Sequence, residues 1–246
     1  MNSCKYKLST YSADTPKQEL NLVNLERIRE VETTTGANFK VAFISDTHNY
    51  YEELDELVDT INSRGPYSFV IVSGDITNLG LLEEFDSARK FLNKLKSPYL
   101  VSPGNHDLIA NGDIIFKKMF GPGDFDFSFK NYHFILFDNN NWENSTKVPD
   151  LIWLRDKLST STAIDKILVA HVSPDDRERF TDNEIMDFST LIDNYNVKYF
   201  IHGHNHTYNE SVFGNAIKIT VGAPSKKSYL EVEFSAGGVT HQKINF

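Results

Sequence analysis

From Phe39 onward the chain repeats one unit: a short apolar run, a small or polar cluster, then a segment with helical period. Val41 to Ile44 is the first run, and Tyr50, Leu54, Leu57, Val58 and Ile61 follow it on one helical face. Gly65-Pro66 ends that helix. Phe69 to Val72 reads as a second buried strand. The stripe Leu81, Phe85, Ala88, Leu92, Leu95 makes a second amphipathic helix, and Pro98 introduces the strand Tyr99 to Val101. Strands joined by helical crossovers lie parallel in one sheet, which makes this an α/β chain.

Further on the pattern changes. Asn111-Gly112 and Gly121-Pro122-Gly123 mark a loop with one short helix between residues 108 and 126. Phe125, Phe127 and Phe129 alternate with polar residues, a pattern of core packing, and with His133 to Phe137 they predict an antiparallel hairpin. Pro149 opens a helix carrying Leu151, Leu154 and Leu158. Ile167 to Ala170 is a fourth buried strand, Ile185, Phe188, Ile192 and Tyr195 mark a helix, and Tyr199 to Ile201 is a fifth strand. Segments near 207–213, 216–221, 228–234 and 239–244 read as a β-meander, so the strands fall into two groups. No internal repeat and no interdomain linker interrupts them.

The chain has 246 residues, a length that suits one large domain at about 100–200 residues per domain. Residues 39–246 are expected to form it. Residues 1–38 are polar and without alternation from Cys4 onward, and are expected to be a flexible extension. That stretch resembles the tether behind the lipid-bearing cysteine of a bacterial lipoprotein, which would make the protein a cell-envelope lipoprotein. The other reading takes Cys4 as an incidental thiol, and the chain as it stands as cytoplasmic. Cys4 is the only cysteine, so an internal disulfide is excluded. No apolar run approaches the roughly 18 residues of a membrane span. With 25 Lys and Arg against 34 Asp and Glu the net charge is −9, which disfavours non-specific nucleic-acid binding and, with the lack of a basic stripe, a nuclease.

The chemistry-bearing residues sit at strand ends. Asp46-Thr47-His48 follows the first strand, Gly74-Asp75 the second, Gly104-Asn105-His106-Asp107 the third, His171 the fourth and Gly203-His204-Asn205-His206 the fifth. In an open α/β sheet the carboxyl ends of the strands face one crevice, so five distant loops converge. Imidazoles with carboxylates suit divalent transition metals, and a thiolate site is excluded. Seven such side chains are too many for one catalytic ion with open positions, but suit two ions sharing a bridging carboxylate. Gly74, Gly104 and Gly203 each precede a candidate ligand, where a missing Cβ permits a sharp turn and close backbone approach. His133 and His202 interrupt apolar runs and read as packed or hydrogen-bonded histidines. His241 reads as a surface residue, and Asn139-Asn140-Asn141-Trp142 as a solvated loop or the lip of a pocket.

This ordered set resembles the signature of the calcineurin-like metallophosphoesterases over roughly residues 39 to 213. The resemblance implies a four-layer αββα sandwich of two mixed β-sheets flanked by helices, with metals at one edge. It implies that Asp46, His48 and His206 hold one ion, that Asn105, His171 and His204 hold the other, and that Asp75 bridges them. The ions would be Mn, Fe or Zn, with a metal-bridging hydroxide as nucleophile. His106, outside the ligand set, would stabilise the transition state or protonate the leaving oxygen, oriented by Asp107.

Gly74-Asp75-Ile76-Thr77-Asn78 departs from the Gly-Asp-x-Val-Asp-Arg-Gly string of protein serine/threonine phosphatases. With the Gly-Asn-His-Asp motif it is more similar to the bacterial group that includes cyclic-nucleotide and glycerophosphodiester phosphodiesterases. The expected function is hydrolysis of a small phosphate ester, a phosphodiester first. The alternatives are a phosphomonoesterase and a non-catalytic protein-binding module on the same scaffold, the presence of His106 favouring an enzyme. Loops 108–126, 139–149 and 173–184 are expected to set specificity.

Overall fold

The computed structural model describes residues 9–143 and 149–246, so Cys4 lies outside the described residues. Among the described residues eleven strands form two mixed sheets. The first has the order β11-β10-β1-β2-β3, with β1 (Phe39–Ile44), β2 (Phe69–Ser73) and β3 (Tyr99–Ser102) parallel. Here β10 (Ser228–Ser235) runs antiparallel to both β1 and β11 (Gly238–Asn245). The second has the order β4-β5-β6-β7-β9-β8. In it β5 (Tyr132–Leu136), β6 (Asp165–Val169), β7 (Val197–His202) and β9 (Ala216–Thr220) are parallel, with β4 (Phe125–Phe129) and β8 (Asn209–Phe213) antiparallel at the edges.

The two-residue side-chain period of a strand decides the layers. In β1, Ala42 and Ile44 face α2 (Tyr51–Arg64), α3 (Leu82–Leu92) and α4 (Gly112–Met119), and Val41 and Phe43 face the second sheet. In β6, Ile167 and Val169 face the first sheet, while Leu168 packs against α5 (Leu151–Thr160) and α6 (Asp182–Asn194). The inner residues of these strands, Val41–Ile44 and Ile167–Val169, are apolar because both faces are covered. Between the sheets, Phe69 meets Phe127, Phe129 and Phe134 edge-on at 5.5, 5.2 and 5.1 Å, contacts worth about 0.5–1.5 kcal/mol each beyond burial. The result is the expected helix, sheet, sheet, helix layering.

Two elements differ from expectation. Within the stretch expected to be a flexible extension, Leu20–Thr34 form a helix, α1, whose buried face is Asn21, Asn24, Leu25 and Ile28. Half of that face is polar, so hydrophobic periodicity does not reveal it. Asn21 donates to the Val101 carbonyl at 2.8 Å and accepts from the Val101 amide at 2.9 Å, occupying backbone groups of the edge strand β3. The C-terminal meander is in fact two hairpins, β8–β9 closing the second sheet and β10–β11 closing the first. No helix among the described residues is long and apolar enough to cross a membrane.

Candidate metal centre

The loops after β1, β2, β3, β6 and β7 meet at one edge of the sandwich, stitched by their backbones. The Asp46 amide donates to Gly74 O, His48 N–H to Asp75 O and Gly203 N–H to His171 O, at 3.0, 2.9 and 3.1 Å. His204 N–H donates across the two sheets to the Asp46 carboxylate at 3.1 Å. Of the seven sequence-selected candidates, Asp46, His48, Asp75, His204 and His206 have positive φ, between 42° and 69°. Side chains rarely tolerate that region, and such residues concentrate at functional sites. Two glycines allow the close approach: a Cβ on Gly104 would stand 2.2 Å from Asp75 Oδ1, and one on Gly203 1.9 Å from Ser45 Oγ.

All seven candidates are brought together. Ligand atoms of Asp46, His48 and His206 lie within 4.8 Å of one another, and so do those of Asp75, His171 and His204. Asn105 Oδ1 joins the second group 3.0 Å from His204 Nδ1. Asp75 stands between the groups, its Oδ2 3.1 Å from His171 Nε2 and 3.7 Å from His48 Nε2.

The donor set fits divalent cations. His48 Nδ1 donates to Thr77 O at 2.9 Å and His171 Nδ1 to Ser73 O at 2.7 Å. Carbonyls only accept, so each ring presents Nε2 to the centre, as imidazole ligands with a hydrogen-bonded second nitrogen do. His171 Nε2 is buried and lacks an aligned hydrogen-bond partner. Burial lowers the pKa of His48 and His206 and takes His204 down to about 4, leaving these rings neutral near pH 7 with lone pairs available. Burial also opposes charge on His171, but Asp75 and Asp46 outweigh it and hold its pKa above the ordinary value. Burial pushes Asp46 up to about 7. For Asp75 burial acts the same way, yet His171, His48 and His106 more than offset it and lower its pKa. The pocket's field favours positive charge beside Asp75.

His106 opens a 3₁₀ turn beside this set. Its amide donates to Asp75 Oδ1 at 2.8 Å and its Nδ1 to Asn78 O at 2.7 Å. Asp107 does not orient it: that buried carboxylate accepts from the amides of Gly104, Ile76 and Thr77 and from Thr77 Oγ1, tying the loops after β2 and β3 together. Sequence reasoning missed Asn139 as a positioning residue. Fully buried, it accepts from the amides of His171 and Val172 and donates to Val172 O at 2.8 Å. Its only signal is a polar run directly after an apolar strand.

The remaining histidines lie outside the set. His133 pairs with Asp126 at 2.9 Å. His202 sits 3.1 Å from Thr220 Oγ1, burial driving its pKa down to about 3. His241 is mostly covered rather than on the surface, between Tyr199 Oη at 3.0 Å and Glu210 at 3.1 Å.

Comparison with known proteins agrees with this geometry. Over 72 residues the chain is 40% identical to the glycerophosphodiester phosphodiesterase GpdQ of Enterobacter lignolyticus (strain SCF1), covering 26% of either chain. Over 98 residues it is 36% identical to a Xenorhabdus bovienii (strain SS-2004) protein named as a cyclic nucleotide phosphodiesterase, covering 39% of this chain and 37% of that one. The matches therefore span only 26% to 37% of the relatives' length. A dimetal phosphatase from Danio rerio shares the fold, with a TM-score of 0.65 at 14% identity over 85% of this chain and 99% of that one. The calcineurin-like phosphoesterase profile matches residues 39–208. That match, read with the two adjacent ligand groups, indicates a dinuclear divalent metal centre. On the span of the profile and on the architecture, the chain belongs to the calcineurin-like phosphoesterase family.

Proposed function

We propose that the protein is a metal-dependent hydrolase of phosphate esters, with phosphodiesters as its preferred substrates. The observation that carries this reading is the placement of Asp75, which belongs to one three-residue ligand group, 3.1 Å from His171, and also reaches within 3.7 Å of His48 in the other. Asp46, His48 and His206 would hold one ion and Asn105, His171 and His204 the second, with Asp75 shared. Two divalent ions so held would lower the pKa of bound water toward neutrality and polarise the phosphoryl oxygens. Thr77 and Ser73 carbonyls fix the rings of His48 and His171, and Asn139 holds the backbone at His171.

With its Nδ1 proton committed to Asn78 O, His106 has Nε2 free to face substrate. In the imidazolium form it delivers the Nε2 proton to the departing oxygen. Preference for diesters is supported by the names of both curated relatives and by the Gly74-Asp75-Ile76-Thr77-Asn78 string.

The test is hydrolysis of bis(4-nitrophenyl) phosphate and 4-nitrophenyl phosphate by the purified protein, with and without Mn²⁺. Metal-dependent turnover with higher kcat/KM on the diester is expected. Higher kcat/KM on the monoester would make the protein a phosphomonoesterase, and no turnover of either by metal-loaded protein would favour a binding module.

A further inference from the structure

The loops after β1, β2 and β3 adjoin His106 and carry few charged side chains. Across residues 45–51, 74–82 and 103–112 the only charged side chains besides histidines are Asp46, Asp75 and Asp107, all buried within the centre. The loop after β6, by contrast, carries Asp175-Asp176-Arg177-Glu178-Arg179. These three loops also present large apolar side chains outward: Tyr50 is 37% exposed, Leu79 50% and Ile109 37%.

The segments bearing these three side chains adjoin His106. His106 Nδ1 donates to the carbonyl of Asn78, the residue directly before Leu79 in the chain. The 3₁₀ turn that His106 opens delivers Ile109 directly after it. A Cβ on Gly80 would stand 2.4 Å from Ile109 O, so the segments bearing Leu79 and Ile109 touch. The Tyr50 ring lies edge-on to His48 at 6.2 Å, and His48 lies edge-on to His106 at 4.9 Å. Large exposed apolar groups gathered beside a polar centre mark a ligand surface.

We propose that Tyr50, Leu79 and Ile109 form the subsite for the leaving alcohol of the phosphate ester, and that this alcohol is uncharged with an apolar body. The inference rests on the hydrolase reading. In that reaction the bond from phosphorus to the alcohol oxygen breaks with its electron pair on that oxygen, which takes a proton from His106. Water supplies the oxygen of the new bond to phosphorus, and the proton that this water releases restores the one given up by His106. The group that donates to the leaving oxygen lies against the leaving alcohol, so the side chains around His106 are the ones the alcohol touches. Tyr50, Leu79 and Ile109 themselves offer apolar surface and no charge with which to pair an ionised group, whose desolvation would go uncompensated, and the Glu84 carboxylate that accepts from the Leu79 amide would repel an anion.

The test compares methyl 4-nitrophenyl phosphate with methyl 3-carboxy-4-nitrophenyl phosphate, on Mn²⁺-loaded full chain, parent and Leu79→Lys. The two leaving phenols differ by one carboxylate on the same nitroaromatic ring. The parent is expected to favour the uncharged phenol by about 10-fold or more in kcat/KM. Leu79→Lys is expected to shrink or reverse that preference while retaining the parent's metal content. Leu79→Ser should raise KM for the uncharged ester with a smaller change in kcat. Equal kcat/KM on both esters with no response to Leu79→Lys would overturn this inference and leave the hydrolase reading standing. Hydrolysis of neither ester by protein carrying two ions would overturn the hydrolase reading, and this inference with it.

Discussion

His48 and His206 hold their Nε2 atoms 3.3 Å apart, and the other nitrogen of His48 is already committed to the Thr77 carbonyl at 2.9 Å. With Nδ1–H on Thr77 O, His48 Nε2 carries a lone pair that accepts from His206 Nε2–H, and a cation held by both rings would take the place of that proton. Asp46, 3.4 Å from His206, completes a ligand set around that point. Metal is therefore expected to stabilise the fold. At free metal 100 times its Kd a site contributes about 2.7 kcal/mol, which for a chain of this size raises Tm by about 5–10 °C. Thermal denaturation with Mn²⁺, Zn²⁺ or excess chelator checks this, and identical Tm values under all three conditions would refute it.

Asp75→Asn is expected to be the most damaging isosteric ligand change. The amide keeps the shape and its oxygen still accepts from the His106 amide, but the shared negative charge is gone. Both ions then lose a ligand while their mutual repulsion grows. Activity should fall by more than about 10³-fold, with metal content below that of the parent. Parent-like turnover and metal content would show that Asp75 is not the bridge.

His106→Asn should separate chemistry from metal binding. Its imidazole is anchored on Asn78 rather than on the ligand groups, so metal content should stay unchanged while kcat falls by about 10²–10⁴-fold. A proton donor matters less for a good leaving group, so the loss should shrink as the leaving-group pKa falls. A loss independent of leaving group would assign His106 to stabilisation of phosphoryl charge, and loss of one ion would make it a ligand.

Acid stability should be governed in part by a carboxylate far from the centre. Burial opposes charge on Glu231, but donors from Tyr67, Gln242, Arg64 and Lys40 outweigh it and lower its pKa from 4.5 to about 2. A carboxylate depressed in the folded state contributes stability above its unfolded pKa and loses that contribution as pH falls toward the folded value. The parent should therefore lose stability between pH 4.5 and about 2, and Glu231→Gln should be less stable at neutral pH and less pH-dependent over that window. Urea unfolding at several pH values reads the difference.

The sequence displayed those parts of the molecule that follow one-dimensional rules. Strands buried on both faces read as apolar runs, and α2 and α3 read as stripes because they cover the sheet with one face. The seven candidates were legible because each stands where a parallel strand ends. Helix α1 was not, since Asn21 and Asn24 occupy its buried face and Asn21 bonds the backbone of Val101. Nor was the division of the last four strands, because β8–β9 and β10–β11 carry the same hairpin pattern and only pairing with β7 or β1 assigns them to a sheet. A buried Asn139 and a solvated asparagine look alike in sequence, and so do left-handed and extended backbones at Asp46 or His204.

A phosphoesterase working through two ions that share Asp75 needs both ions for turnover. The most direct measurement is the rate of bis(4-nitrophenyl) phosphate hydrolysis as metal-free protein is titrated with Mn²⁺, with bound metal counted at each point. Little turnover is expected up to one bound equivalent, then a steep rise that levels off at two. Full activity at one equivalent, or none at two, would contradict it.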